Sequence, residues 1–255
     1  MLTSGTKTSV ARVVWWLGLS LMYVPIATLI VYSFITQSGS GWDFSLDAYR
    51  QLIGDEEILD SIKASILIAV CSATISVILG GLAALGTRRS AGWLDRVISS
   101  LTLAPVVLPE VVFGLGLLMW FVMLRLTLGT VSLVLAHVTF SVSYVYMTVS
   151  ERARLLDRNL DDAAHDLGAT SWQTFWRIHL PLLLPACVAG WMLAFTLSFD
   201  DFLISFFTAG PDVTTLPLTL YGMVKYGVSP IVFALSAVIF GVSFLSAAVV
   251  RSLTR

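Results

Sequence analysis

Residues 64–87 read ASILIAVCSATISVILGGLAALGT, a stretch of 24 residues without a charged side chain. A helix of about 20 apolar residues can cross the hydrocarbon core of a bilayer. Lipid admits only helices and closed barrels, because every backbone N–H and C=O group must find its partner within the protein. The stretch is far longer than a barrel strand of about 9–11 residues, so it predicts a membrane-spanning helix.

The same apolar pattern recurs along the chain and predicts six membrane-spanning helices. They cover residues 15–35, 64–87, 97–124, 128–150, 181–207 and 230–250. Composition agrees, since 57% of the residues are hydrophobic and only 12% are charged, against about 25% charged in soluble domains. No basic run typical of phosphate binding occurs, so nucleic acid is not a predicted partner. We therefore predict an all-α polytopic protein whose solvent is mostly membrane lipid.

Lysine and arginine are distributed unevenly between alternate loops, and this asymmetry predicts the orientation. With a cytoplasmic N-terminus, eleven basic residues fall on cytoplasmic segments: Lys7, Arg12, Arg88, Arg89, Arg96, Arg152, Arg154, Arg158, Arg177, Arg251 and Arg255. Four fall outside: Arg50, Lys63, Arg125 and Lys225. Both termini are then predicted to be cytoplasmic.

One predicted cytoplasmic segment, residues 151–180 between the fourth and fifth spans, is long and polar but patterned. Its apolar residues recur at helical spacing, at Leu155, Leu156, Leu160, Ala163, Ala164 and Leu167. Asp157 can cap the first helix, and Gly168 suits the left-handed position that ends it. Thr170 and Gln173 form a capping-box pattern for a second helix, predicted to run to Pro181. The segment predicts a helical hairpin at the membrane surface.

This segment also carries a specific motif. Asp162, Ala163 and Ala164 are followed after three residues by Gly168 and, nine residues later, by Ile-His-Leu-Pro at 178–181. The pattern resembles the EAA loop of binding-protein-dependent ABC transporter permeases, with Asp162 in place of the usual glutamate. Small side chains let a short helix lie deep in a groove of another protein. The resemblance implies that these four residues couple the chain to an ATPase subunit.

Further segments are similar to the spermidine/putrescine subgroup of these permeases, and to its PotC-type subunit. They are residues 135–140, 189–191, 195–201, 210–211, 215–218 and 226–230. The resemblance implies a permease of the bacterial inner membrane that pairs with a sister permease subunit above two ATPase subunits. It also implies a periplasmic binding protein that delivers a polyamine.

The sequence offers no sign of catalysis or of a cofactor. It lacks the GxxxxGK[ST] phosphate loop, so the chain is not predicted to be the ATPase itself. Cys71 and Cys187 lie in separate apolar stretches, and no Cys/His spacing typical of a metal site occurs. We predict a permease subunit without enzymatic activity or cofactor.

Three acids lie within predicted spans: Glu110, Asp200 and Asp201. Each costs roughly 2.5–3.5 kcal/mol at mid-membrane, so protonation, a partner's basic residue or a cationic cargo must compensate it. Polyamines carry ammonium groups along an apolar stem, which suits carboxylates between aromatic walls. The predicted walls are Trp120, Phe199, Phe202 and Tyr221. As neighbours on a helix, the two aspartates should point about 100° apart, with one facing the pathway and the other capping or pairing locally.

Other interpretations remain open at this stage. The three acids can instead tie two permease subunits together. The chain can be an ABC permease for another cargo, such as iron, sulfate or a quaternary amine. A proton-coupled secondary transporter is the alternative from another class, but inverted repeats typical of that class are not evident. A purely structural membrane subunit would leave the acids unexplained. His137, within the fourth span, is expected to make a structural hydrogen bond in preference to relaying protons.

Overall fold

The computed structural model describes residues 4–38, 41–88, 92–157, 159–227 and 229–253 of the 255-residue chain. Three of the basic residues used to predict the orientation, Arg89, Arg158 and Arg255, lie outside these ranges. So does Val228, within one of the segments similar to polyamine permeases.

Helices make up most of the described chain. In order they are α1 (Ser4–Tyr32), α2 (Asp47–Gly54), α3 (Glu56–Thr87), α4 (Trp93–Val107), α5 (Glu110–Met123), α6 (Thr130–Arg154), α7 (Asn159–Asp166), α8 (Ser171–Thr174), α9 (Leu180–Phe199), α10 (Leu203–Thr208), α11 (Leu216–Tyr226) and α12 (Pro230–Leu253). A π-helical turn, Phe175–His179, joins α8 to α9. Two short antiparallel strands, β1 (Ile35–Ser38) and β2 (Gly41–Phe44), pair with Ile35 opposite Phe44. The predicted helical polytopic fold is confirmed, with this strand pair as an addition.

Among the described residues, four continuous helical stretches are long and apolar enough to cross a membrane: residues 12–32, 56–87, 130–154 and 171–199. The pair Arg96–Val107 and Glu110–Met123 makes a fifth candidate, although it is bent by 112°. The 24-residue α12 falls where the sixth span is predicted. The boundaries of the six spans remain predictions.

The third predicted span, residues 97–124, is not one straight helix. Proline has no N–H to donate and drives the residue before it into extended backbone. Leu108, just before Pro109, has φ −71° and ψ 141°, and α4 ends there. Glu110 then becomes the first residue of a new helix, α5.

The fifth predicted span, residues 181–207, is also interrupted. The helix ends at Phe199 and α10 starts at Leu203, so Asp200 and Asp201 lie in the break between two helices. The expectation that they are neighbours on one helix, about 100° apart, is therefore wrong. The physical reason is that an aspartate side chain can satisfy the first N–H groups of a new helix, which favours a break.

The start of this span differs as well, because the helix that opens at Ser171 does not end at Pro181. It continues through the π-helical turn into α9, where the Leu180 N–H donates to the carbonyl of Phe175. A proline inside an α-helix clashes with the carbonyl four residues earlier. The wider π turn just before Pro181 accommodates the ring without breaking the helix.

The chain divides into two compact units, and the first comprises residues 1–59 and 220–255. In this unit α12 packs against α1 and α2. The rings of Tyr32 and Phe233 lie 5.7 Å apart, and the hydroxyls of Ser33 and Tyr49 are hydrogen-bonded at 2.7 Å. The strand pair is anchored here by Phe34, whose ring stacks on Phe44 at 5.6 Å.

The second unit, residues 60–219, is built around α6 and α9, with α4 and α10 also packed on α6. Its core contains Ala73, Ala84, Val145, Tyr146, Val149, Ala153, Leu183 and Ala194. Small residues let these helices approach closely, as is typical of membrane bundles. A Cβ atom at Gly80 would lie 3.0 Å from the backbone of Val142 and Tyr146, so α3 contacts α6 almost backbone to backbone.

Candidate translocation site and docking surface

Asp201 caps the helix that follows the break. Its carboxylate accepts hydrogen bonds from the N–H groups of Ile204 at 3.3 Å and Ser205 at 2.8 Å. The N-terminus of a helix carries a partial positive charge, which favours a carboxylate there. Asp201 is 6% exposed, so this cap is formed inside the second unit.

His137 pairs with Asp201 and is fully buried. Its Nδ1 shares a hydrogen bond with the Ser198 hydroxyl at 2.6 Å, while its Nε2 lies 3.0 Å from the Ser205 hydroxyl and 3.4 Å from the Asp201 carboxylate. The Ser72 hydroxyl lies 2.9 Å from the Ser198 hydroxyl, so it extends this network to α3. The predicted structural hydrogen bond of His137 is present, and it belongs to a network joining α3, α6, α9 and α10.

The three predicted acids come together at one cleft of about 390 Å³. This acidic cleft is lined by Glu110, Thr196, Leu197, Asp200, Asp201, Phe202 and Leu203. Glu110 and Asp200 are exposed to it, whereas Asp201 is largely withdrawn into its own hydrogen bonds. Within the described chain, the lining includes neither lysine nor arginine. The cleft therefore presents carboxyl groups between apolar side chains, without a basic residue in its described lining.

Only one of the four predicted aromatic walls lines the acidic cleft. Phe202 does, but Phe199 stacks on Phe195 with ring centroids 5.9 Å apart. Trp120 lies ten residues beyond Glu110 on α5, which is about 15 Å along the axis. Tyr221 belongs to the first unit, on α11.

The sequence reasoning missed other aromatic residues near Glu110. A second cleft of about 320 Å³ also includes Glu110 and is lined in part by Phe113, Phe140 and Tyr144. Phe140 and Tyr144 follow His137 at i+3 and i+7, so helical periodicity places all three on one face of α6. The sequence spacing alone could therefore have indicated that these aromatic residues lie near His137.

The hairpin of α7 and α8, which we call the α7–α8 hairpin, forms as its capping residues predict. The Asp157 carboxylate accepts from the N–H of Asn159 at 3.0 Å. Gly168 has φ +78°, and the N–H groups of Gly168 and Ala169 donate to the carbonyls of His165 and Ala164, both at 2.9 Å. This is the Schellman arrangement that ends a helix at a glycine.

The start of α8 also agrees with the prediction. Thr170 Oγ1 accepts from the Gln173 N–H at 3.3 Å, and the Gln173 side chain accepts from the Thr170 N–H at 2.9 Å. Both halves of the predicted capping box are therefore present.

The four predicted docking residues differ in exposure. Asp162, Ala163 and Gly168 are exposed, but Ala164 is 6% exposed and packs within its own chain. Helical periodicity explains the split, because neighbours on a helix point about 100° apart. Leu167 was missed as a contact candidate and is 89% exposed. The available surface is thus small and partly apolar.

Comparison with known proteins bears on both sites. Residues 76–255 match the family described as "Binding-protein-dependent transport system inner membrane component". The chain belongs to this family. The match includes the acidic cleft residues and the α7–α8 hairpin, so both lie in the part of the chain that defines the membership.

Two relatives from Escherichia coli (strain K12) are similar over most of their length. The putrescine transport system permease protein PotI is 39% identical over 244 residues, which cover 90% of this chain and 85% of that protein. The spermidine/putrescine transport system permease protein PotC is 37% identical over 226 residues, covering 88% of this chain and 86% of that protein.

The fold has a solved counterpart. It is similar to the crystal structure of a bacterial ABC transporter involved in the import of the acidic polysaccharide alginate, with a TM-score of 0.75 and 16% identity. The match covers 98% of both chains. The protein is a multi-pass permease subunit of the inner membrane, and subunits of this family are not catalytic.

Proposed function

We propose that this permease carries polyamines across the inner membrane as one subunit of an ATP-driven importer. The names of two relatives, a putrescine and a spermidine/putrescine permease, support this class of cargo. The observation that carries the proposal is the acidic cleft, whose described lining combines three carboxyl groups with apolar side chains and includes no basic residue.

Glu110 and Asp200 are the groups that contact the cargo. Asp201 already accepts two backbone hydrogen bonds and pairs with His137, so its charge is compensated within the chain. Glu110 and Asp200 face the cleft, and a cationic cargo supplies the compensation they need. Phe202 and Leu197 provide apolar surface for the methylene stem of a polyamine.

The partners follow from the family and from the hairpin. A sister permease completes the pathway, two ATPase subunits hydrolyse ATP, and a periplasmic binding protein delivers the cargo. The α7–α8 hairpin docks on an ATPase subunit through Asp162, Ala163, Leu167 and Gly168. Both termini are cytoplasmic, which is supported by the excess of basic residues on that side.

Uptake of labelled putrescine and spermidine tests the proposal in cells that lack other polyamine importers and express all four components. Glu110→Gln and Asp200→Asn are each expected to lower uptake at least tenfold, or about 1.4 kcal/mol of binding or barrier energy. Asp212→Asn, at an exposed carboxylate between α10 and α11, is the matched control and should leave uptake unchanged.

Two results would contradict this assignment. Wild-type uptake in both variants would remove the acidic cleft from the pathway. Loss of pairing with the sister permease, measured by co-purification, would show that the acids tie the subunits together.

The orientation is tested by labelling Glu56→Cys in a variant whose Cys71 and Cys187 are replaced by serine. An impermeant reagent added outside should label it, and labelling only from the cytoplasm would reverse the topology.

A further inference from the structure

The α7–α8 hairpin has little of its own to hold it in place. Helix α7 has eight residues, and isolated helices shorter than about 12–15 residues are marginal in water. Only Asp161 and Ala164 of α7 are buried. The way in which these two side chains are held therefore decides where the hairpin lies.

Arg88, which directly follows α3, holds the side chain of Asp161. Its Nη2 donates to the carbonyls of Leu156 at 3.2 Å and Asp157 at 2.8 Å, in the turn that precedes α7. Its Nη1 donates to the Asp161 carboxylate at 3.5 Å. The side chain of Arg88 is 4% exposed and that of Asp161 is 7% exposed, so solvent screens this pair little. A single buried guanidinium thus joins α3 to the turn and to α7.

His179 completes the cluster from the π-helical turn. The Arg88 Nη1 lies 3.3 Å from His179 Nδ1, which accepts because arginine can only donate. The other ring nitrogen, Nε2, then carries the proton and donates to Asp161. Asp161 therefore receives hydrogen bonds from two elements that are distant in sequence, and π turns are frequently found at functional positions.

Both elements that hold the hairpin lead towards the acidic cleft. Helix α3 runs without interruption from Thr87, next to Arg88, back to Ser72, about 22 Å along the axis. The Ser72 hydroxyl contacts the Ser198 hydroxyl in the network of His137 and Asp201. The helix containing His179 runs on as α9 to Asp200. A displacement of the hairpin is thus applied to α9, which ends at the cleft, and to α3, which contacts the hydrogen-bond network behind Asp201.

We propose that Arg88, Asp161 and His179 are positioning residues that join the α7–α8 hairpin to α3 and α9 and transmit its movement to the acidic cleft. This inference rests on the proposed function, since it requires an ATPase subunit that moves the hairpin. None of the three residues lines the acidic cleft, so they act through the helices that they join. Changing these residues should therefore lower the amount of cargo imported for each ATP hydrolysed.

The test uses the complete complex in proteoliposomes and measures polyamine uptake and ATP hydrolysis together. Arg88→Gln alone leaves a buried carboxylate without its cation, which endangers folding. The double variant Arg88→Gln/Asp161→Asn removes both charges together and avoids that penalty. We expect it to assemble and hydrolyse ATP, but to import at least tenfold less polyamine per ATP than the wild type.

Arg152→Gln is the matched control, because Arg152 is an exposed arginine in the last turn of α6. It should keep the wild-type ratio. Arg88→Lys keeps the charge but loses the planar fork that reaches two carbonyls and a carboxylate at once. Arg88→Lys should therefore lower the ratio of polyamine imported to ATP hydrolysed in a fully assembled complex. If the double variant does not accumulate, Arg88→Lys serves as the test of the inference.

A wild-type ratio in the double variant, or in Arg88→Lys, would overturn the inference. Failure of the proposed function looks different, because the unmodified complex would then show no polyamine uptake driven by ATP. A lowered ratio with unchanged affinity for polyamine separates this positioning role from a defect in the cleft.

Discussion

The hairpin cluster and the acidic cleft lie at opposite ends of α9, and their carboxylates have different surroundings. Asp161 is buried and matched by Arg88 and His179, all within the chain. Glu110 and Asp200 face an open cleft whose described lining holds no basic residue. A carboxylate compensated within the chain fixes structure, whereas one without a basic neighbour must be protonated or meet a cation from outside the chain. Asp201 lines the cleft, yet its carboxylate is compensated within the chain, as that of Asp161 is.

The largest expected effect separates the two adjacent aspartates. Asp201→Ala removes the α10 cap and leaves His137 without its carboxylate, so it should destabilise the permease by about 3–5 kcal/mol. Asp200→Ala should change stability by less than about 0.5 kcal/mol, because the side chain is exposed. Thermal unfolding of the purified chain in detergent measures both. Equal losses of stability would break the distinction between the two aspartates.

A smaller effect on stability, with a large effect on function, is expected at the hairpin. Gly168→Arg forces a side chain into a left-handed position at φ +78°, at a cost of about 1–2 kcal/mol. It also places a bulky cation on the exposed docking surface. We expect the complex to hydrolyse ATP without importing polyamine.

Gly168→Asn is the matched control for this variant, since asparagine tolerates the left-handed conformation. It should preserve import better than arginine does. Normal transport by Gly168→Arg would show that this surface meets no partner.

The smallest effect is expected in the network that links the two regions. Ser72→Ala removes the buried contact with the Ser198 hydroxyl at 2.9 Å, together with the bond from Ser72 to the Ile68 carbonyl in its own helix, and should cost about 1 kcal/mol of stability. Thr139→Ala, on an exposed face of α6, is its control and should cost less, because the Thr139 hydroxyl donates within its own helix, to the Leu135 carbonyl. Thermal unfolding again gives the comparison, and equal shifts would remove Ser72 from the network.

The same contrast explains what could be read from the sequence. The caps of the hairpin depend on partners within five residues, such as Thr170 with Gln173 and Gly168 with His165, so they were predicted correctly. The cleft depends on contacts between distant segments. His137 and Asp201 are 64 positions apart, and nothing local indicates their pairing.

Local rules were also misapplied in two places. Pro181 was predicted to end a helix, but a π turn absorbs it. The aspartates were treated as helical neighbours, although an aspartate just before a run of helix-forming residues is a typical capping signal. Arg88 was counted only for topology, because a buried role for a loop arginine depends on tertiary packing.

The π-helical turn limits the insertions and deletions that this chain can tolerate. Deleting one residue from Phe175–His179 would turn the wide turn into an ordinary α-helical turn, in which the Pro181 ring is no longer accommodated. The α7–α8 hairpin would then swing by about 100° around the axis of α9, carrying Asp161 away from His179. The number of residues in this turn is therefore constrained more tightly than the identity of most of them, and insertions or deletions are tolerated less here than in the loops.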